Sequence, residues 1–269
     1  VWRKSAIGSH EVRGRTLGIV GYGNIGAQIS VLAEALGLSV MYYDVADKLP
    51  MGNAHRCDSL EELLQSVDVV TVHVDGRADN TLLFGEQEFS MMRPRSLFLN
   101  LSRGHVVDVA ALADNLRTGH LAGAAVDVYP SEPRSGDEPF VSELQSLDNV
   151  ILTPHVGGST QEAQIDIGRY VAGKLIDYSE RASTSMSVNL PDITTGATPG
   201  ARIGHLHLNM PGIMADLNRL VADHGGNVTY QALATRGELG YTVLDIDETD
   251  RELLVDVTRL EGTIRARVL

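Results

Sequence analysis

The chain has 269 residues, 43% of them hydrophobic, which is enough apolar material for one large domain or two ordinary ones. Its 35 acidic residues against 22 basic ones give a formal charge of -13, which disfavours nucleic acid and anionic membranes, so any phosphate must be held by local cations, helix N-termini and backbone amides. The one cysteine, Cys57, excludes an intramolecular disulfide and a thiol metal cluster, the apolar runs are shorter than the about 20 residues of a membrane span, and no signal-peptide pattern opens the chain; no metal site is expected, and the expected location is the cytoplasm.

The opening "VWRKSAIGSH" starts at Val1 rather than at methionine, which suggests that further sequence precedes it in the reading frame. From residue 15 onward, strand-like runs alternate with helical patterns. The strands are "TLGIVG", "LSVMYYD", "VDVVTVHV", "SLFLNLS", "LAGAAVDVY" and "NVILTPH". Continuous apolar strands separated by helices imply a parallel sheet covered on both faces, a doubly wound α/β plan that runs to about residue 158. Ser59 with Glu62 and Ser159 with Glu162 fit capping boxes, and Asp108 can cap a helix that stops at Gly119.

Residues 159–181 follow as a long amphipathic helix, with Ile167, Tyr170, Val171, Leu175 and Tyr178 at steps of three and four; its apolar face needs a partner. Residues 182–200, rich in Ser, Thr, Gly and Pro, read as a linker or domain crossing. A compact β-α-β-β-α-β unit then runs through strand 202–208, helix 211–224, strand 227–236, strand 239–247, helix 249–259 and strand 262–269, the ferredoxin-like order. Its first helix should start at Pro211, and its last strand should turn Ile264, Ala266 and Val268 inward. The expected division is 1–157, 158–199 and 200–269.

"GIVGYGNIGAQIS" places Gly21, Gly23 and Gly26 between a strand and a helix. The first glycine allows the turn, the second lets backbone approach a pyrophosphate, and the third lets helix and sheet close up, with phosphate on the helix N-terminus near Asn24 and Ile25. Asp44 lies 18 residues past the third glycine (44 minus 26), at the end of the second strand, where a carboxylate accepts from both ribose hydroxyls and repels a 2′-phosphate. NAD is therefore expected over NADP.

Arg103 in "FLNLSRGHVVD", Asp127 and Glu132 in "GAAVDVYPSEP", and His155 in "LTPHVGGSTQEA" all fall at successive strand ends on one edge of the sheet. Open α/β sheets hold ligands there, and an Arg fork, two carboxylates and a histidine can together orient an anion and move a proton.

With "SRG", "SEP" and "TPHVGGST", residues 1–181 resemble the D-2-hydroxyacid dehydrogenase family, and "HLHLNMPGIM" with "HGGNV" resembles an ACT domain. Together they resemble the short, serine-regulated branch of that family, which oxidises 3-phosphoglycerate in serine synthesis. The resemblance makes His155 the proton carrier, Glu132 the partner that fixes its tautomer, and Arg103 the group that orients the substrate. It puts Asp127 on the nicotinamide side and has Leu101, Ser102, Gly157 and Gly158 line the cofactor. It assigns His207, Asn209 and Asn227 to an L-serine site, and the residues allow their amide and imidazole groups to converge on one zwitterion at a domain edge.

The resemblance further implies a homo-oligomer, a homotetramer in the family, joined through ACT and nucleotide-binding units, with reduction of 2-oxoglutarate as an added activity. Two departures stand out. Asp75 replaces the family's proline after "VHV", in a loop bordering the adenine side. Of the family's substrate domain, an N-terminal segment of roughly a hundred residues plus the stretch after the histidine, only the second part at 158–199 is present, so the chain alone should turn over poorly. Another 2-hydroxyacid dehydrogenase and a non-catalytic NAD- or amino-acid-sensing module remain open alternatives.

Overall fold

The computed structural model describes residues 9–197, 200–247 and 251–269. Lys4, a candidate basic contributor near the start, the end of the expected linker at 198–199 and the expected first turn of the last helix at 249–250 lie outside them. The chain divides into two compact units, residues 1–160 and 161–269. No helix among the described residues is long and apolar enough to cross a membrane.

The first unit alternates strand and helix: β1 (Thr16–Val20), α1 (Asn24–Ala35), β2 (Ser39–Tyr43), β3 (His55–Arg56), α2 (Leu60–Ser66), β4 (Val69–Val72), α3 (Glu86–Met91), β5 (Leu97–Asn100), α4 (Val109–Arg117), β6 (Gly123–Val126) and β7 (Val150–Leu152). The sheet is parallel throughout, in the order β3-β2-β1-β4-β5-β6-β7. Right-handed crossovers require strand order to reverse somewhere, and here it reverses between β1 and β4, so the crevice for a ligand opens beyond the carboxyl ends of those two strands.

The apolar runs fill both faces of this sheet. Phe84, Phe89 and Phe98 are fully buried, with ring centroids 5.0 to 5.8 Å apart, and each contributes about 2–3 kcal/mol by leaving water. Ser59 accepts from the Glu62 N–H at 3.1 Å, while the Glu62 carboxylate accepts from the Asp58 N–H at 2.8 Å, one residue short of closing the expected box; Asp108 accepts from the N–H groups of Ala110 and Ala111, as the capping pattern predicts. The box expected at Ser159 does not form. The helix starts two residues later, at Gln161, and the Ser159 hydroxyl donates to the His155 carbonyl instead.

The second unit opens with α5 (Gln161–Arg181), then β8 (Ala201–Leu208), α6 (Ile213–Asp223), β9 (Val228–Arg236), β10 (Leu239–Ile246), α7 (Arg251–Arg259) and β11 (Thr263–Val268). Its antiparallel sheet has the order β11-β8-β10-β9, the ferredoxin-like arrangement. Ile203, Leu217, Val221, Leu244, Ile246, Leu253 and Val257 form the core between sheet and helices. No residue of α5 is buried, and Ile167, Tyr170, Val171 and Leu175 of its apolar face stay exposed.

Residues 182–197 are packed rather than a free linker. Ala182 and Ile193 join Tyr241 and Val243 in a small apolar cluster, and the Thr184 hydroxyl donates to the Pro191 carbonyl while accepting from the Ile193 N–H. The many hydroxyls in this stretch thus supply hydrogen bonds that a sheet would otherwise give its backbone. Two local expectations change as well. The helix begins at Ile213 behind Gly212, whose φ of +93° only glycine adopts freely, so Pro211 stands outside it. Ile264 is 50% exposed, because β11 bulges between Thr263 and Arg265 and leaves that residue without a cross-strand partner; Ala266 and Val268 beyond the bulge do face the core.

Candidate active site

The glycine turn after β1 is shaped by two separate demands. A Cβ at Gly21, where φ is +92°, would come within 2.7 Å of the His73 backbone, and one at Gly26 within 2.2 Å of the Gly21 carbonyl oxygen. Those two glycines are required by the protein's own packing. At Gly23 a Cβ would meet no protein atom within 4 Å, so the space beside it is open to a ligand. Asn24 and Ile25 begin α1, whose N-cap is Gly23 and carries no side-chain cap, leaving the first N–H groups of the helix pointing into that space.

Asp44 stands just past β2 and its carboxylate accepts from the Tyr22 N–H at 2.7 Å and the Ala46 N–H at 2.8 Å. The remaining lone pairs are available to ribose hydroxyls. Two buried tyrosines hold the loop that follows: Tyr22 and Tyr42 stack with centroids 3.8 Å apart, the Met51 N–H donates to the Tyr22 hydroxyl, and the Tyr42 hydroxyl donates to the Lys48 carbonyl.

On the other side of the crevice, the turn after β5 is built on Asn100. Its side-chain oxygen accepts from the N–H and hydroxyl of Ser102, and its amide donates to the Arg103 carbonyl. Ser102 is thereby buried while Leu101 and Arg103 face out, with Arg103 donating to the Ser102 carbonyl at 2.7 Å. Gly104 is the next residue, and a Cβ there would come within 2.0 Å of the Tyr129 backbone; only glycine lets this turn lie against the segment after β6.

That segment carries Asp127 and Glu132. Burial raises the Asp127 carboxyl, but the Thr153 hydroxyl at 2.5 Å and the N–H groups of Val156 and Gly157, both at 3.1 Å, outweigh it and hold the group below the usual carboxylate range. Asp127 therefore ties down the loop on either side of His155. Glu132 is likewise held low: burial opposes ionisation, while the His155 side chain and the Tyr129 N–H at 3.0 Å favour it more. His155 Nδ1 lies 2.9 Å from the Glu132 carboxylate, and the histidine has a φ of +54°, a left-handed conformation that costs a non-glycine residue about 1 kcal/mol or more.

Arg103, Glu132 and His155 line one cavity of about 290 Å³ with His105 and Tyr129, and Tyr129, Glu132 and His155 also line a second cavity of about 550 Å³ with Arg134 and Phe140. Gly157 sits against Asp127, while a Cβ at Gly158 would meet nothing within 4 Å. The sequence does not reveal the supporting roles of Asn100, Thr153 and Tyr129, whose hydroxyl donates to the carbonyls of Val126 and Thr153. A polar residue closing an apolar strand is the signal each of them gives, and it is a weak one.

Within one chain the structure does not bring His207, Asn209 and Asn227 together. His207 is 1% exposed, with Nδ1 against the Leu208 carbonyl and Nε2 against the Thr242 hydroxyl. Asn209 follows the end of β8 and donates to Gly237, whereas Asn227 pairs with Asp247 beside the start of β8. The two asparagines lie at opposite ends of the sheet, separated by at least about 25 Å, the length of an eight-residue strand.

Two family profiles together match most of the chain. The family profile described as "D-isomer specific 2-hydroxyacid dehydrogenase, NAD binding domain" matches residues 1–157, and one described as "AHAS small subunit-like ACT domain" matches residues 203–265. The chain is 48% identical over 272 residues to D-3-phosphoglycerate dehydrogenase of Escherichia coli (strain K12), covering 100% of this chain and 66% of that protein. It is 45% identical over 271 residues to the protein of the same name from Dictyostelium discoideum, again with 66% of the relative covered. Among solved structures, holo D-mandelate dehydrogenase of Rhodotorula graminis superposes with a TM-score of 0.56 at 33% identity, over 70% of this chain and 53% of that one.

Proposed function

The chain belongs to the D-isomer specific 2-hydroxyacid dehydrogenase family, and from that premise we propose that it forms the cofactor-binding, proton-transferring and regulatory part of an NAD-dependent enzyme interconverting 3-phosphoglycerate and 3-phosphohydroxypyruvate. The observation that carries the reading is the cavity of about 290 Å³ that Arg103, Glu132 and His155 line together, on the same sheet edge as the Gly23 cradle and Asp44. The cradle fits a dinucleotide: there is room beside Gly23, open N–H groups on α1 and a ribose-side carboxylate. Bound NAD supplies the hydride acceptor.

The residues do the rest. Arg103 grips the carboxylate of the 2-hydroxy acid and sets the angle of its hydroxyl carbon. His155 Nε2 takes the hydroxyl proton in oxidation and returns it to the carbonyl oxygen in reduction. Glu132, accepting from Nδ1, keeps Nε2 facing the substrate and stabilises the imidazolium that forms. Reduction of 2-oxoglutarate belongs to the same proposal, because it presents the same 2-oxo acid to Arg103.

L-serine is proposed as the effector of the second unit, in a site that needs two chains. Strand β9 is an edge of the sheet. Antiparallel pairing of two β9 strands about a two-fold axis would put Asn227 beside the partner's Asn209, since the start of one strand then meets the end of the other.

The test is NADH consumption by the complete reading frame. The phosphorylated substrate should exceed unphosphorylated hydroxypyruvate by about tenfold or more in kcat/KM, and L-serine should suppress the rate unless Asn209→Ala or Asn227→Ala is present. Equal use of the two substrates would defeat the substrate assignment, and a rate indifferent to serine would defeat the effector assignment.

A further inference from the structure

The loop after β4 carries charges that the reaction does not use. Its path is fixed at both ends of a short run: the His73 N–H donates to the Val20 carbonyl at 2.7 Å, and the backbone of His73 and Val74 lies against Gly21, so the loop crosses the crevice between β1 and β4. Gly76 then rests against the side chains of Arg103 and His105, each 3.5 Å from where its Cβ would stand. On either side of Gly76 are Asp75 and Arg77.

These two side chains form a two-pronged pair. Arg77 Nε donates to one Asp75 oxygen at 2.8 Å and Nη2 to the other at 2.6 Å, while the Arg77 N–H reaches the first oxygen at 3.3 Å. Asn80 holds the aspartate from behind, donating to its carbonyl and its carboxylate, both at 3.0 Å. The hydrogen bonds from Arg77 hold the Asp75 carboxyl below the usual carboxylate range. The Asp75 carboxylate in turn raises the Arg77 guanidinium above its ordinary value, with smaller contributions from Asp79 and from Asp44, the ribose-side carboxylate. Both members of the pair are more than half exposed, at 57% and 58%, so the guanidinium is exchangeable rather than locked in a core.

A dinucleotide phosphorylated on its 2′-oxygen needs a cation near the ribose to offset the repulsion from Asp44. Arg77 is a cation that follows directly on the stretch crossing the crevice, and Asp75 has already claimed it. We propose that Asp75, by occupying the Arg77 guanidinium, is a specificity-determining residue that excludes NADPH, so that Asp44 and Asp75 together set the preference for the unphosphorylated cofactor. The inference rests on the dinucleotide reading of the site. It goes further in assigning part of the selectivity to a pair outside the glycine turn.

The test is titration of NADH and NADPH against the chain, read by the enhancement of the reduced nicotinamide's own fluorescence. Asp75→Asn should keep the Asn80 contacts to the backbone and free Arg77. NADPH should then bind about tenfold more tightly than it does to the parent chain, with NADH changing less than about threefold. Adding Arg77→Ala should remove the gain, because the released cation is what the 2′-phosphate uses.

An NADPH to NADH ratio unmoved by Asp75→Asn would overturn the inference and leave the dinucleotide reading standing. So would a gain that survives in the double variant, which would trace it to the lost carboxylate and not to Arg77. A parent chain that binds neither nucleotide would overturn both.

Discussion

Replacing His155 with asparagine is expected to lower kcat/KM for the 2-oxo acid by about 10² to 10⁴, or about 3 to 5 kcal/mol of barrier, with the Kd for NADH unchanged. Asparagine is the informative choice because the position has a φ of +54°, which Asn tolerates far better than most side chains, so the backbone of the loop is kept while the proton carrier is lost. The pair with Glu132 explains the size of the effect, since a histidine held at Nδ1 offers Nε2 in one orientation. Because the Glu132 carboxyl is held below its ordinary range, its contribution is fully present at neutral pH and is lost only as the pH falls through that lowered value. Steady-state rates in the complete reading frame, with NADH titrations alongside, measure both quantities. Activity retained within about threefold would remove His155 from the chemistry.

The second large effect is on stability. Arg202 of β8 and Asp245 of β10 form a two-pronged ion pair at 2.6 and 2.7 Å, with side chains only 3% and 8% exposed. Arg202 also donates to the carbonyls of Arg181 and Gly196, so one guanidinium holds the end of α5, the segment that follows it and two strands. Arg202→Met leaves the Asp245 carboxylate buried without its partner and should destabilise the second unit by about 3–5 kcal/mol. Pairing it with Asp245→Leu removes the stranded charge and should recover much of that loss, although the two carbonyls stay unpaired. Denaturant unfolding of the chain followed by circular dichroism measures both variants. A shift of less than about 1 kcal/mol for Arg202→Met would mean that water reaches Asp245 and the pair contributes little.

Much of this molecule was legible before its structure. The glycine turn, Asp44 and the alternation of strands and helices along the chain follow from local rules, because each needs only a few neighbouring residues and a period of two or 3.6. Arg103, Glu132 and His155 stand out in the sequence because each follows one of three successive strand-like runs, and the parallel sheet brings the segments after β5, β6 and β7 to one edge. What was not legible depends on contacts between distant residues. The strand His55–Arg56 has two residues and no period to detect. The bulge that exposes Ile264 is a property of pairing with β8, not of the "TIRARV" run itself. The separation of Asn209 from Asn227 is set by strand direction, and a shared motif in sequence carries no distance. The roles of Asn100 and Thr153 show only once their partners, Ser102 and Asp127, are beside them.

The central claim, that the edge between β1 and β4 holds a dinucleotide, is tested most directly at Gly23. This glycine has a φ of -83°, open to any residue, and a Cβ there would touch no protein atom, so Gly23→Val should leave the Tm of the chain unchanged within about 1–2 °C. The same side chain would fill the space the pyrophosphate needs. NADH binding to Gly23→Val, measured by fluorescence titration beside the parent chain, should be weakened at least about a hundredfold. Undiminished NADH affinity in a variant that folds as well as its parent would contradict the account, because the open space beside Gly23 would then not be the cofactor's.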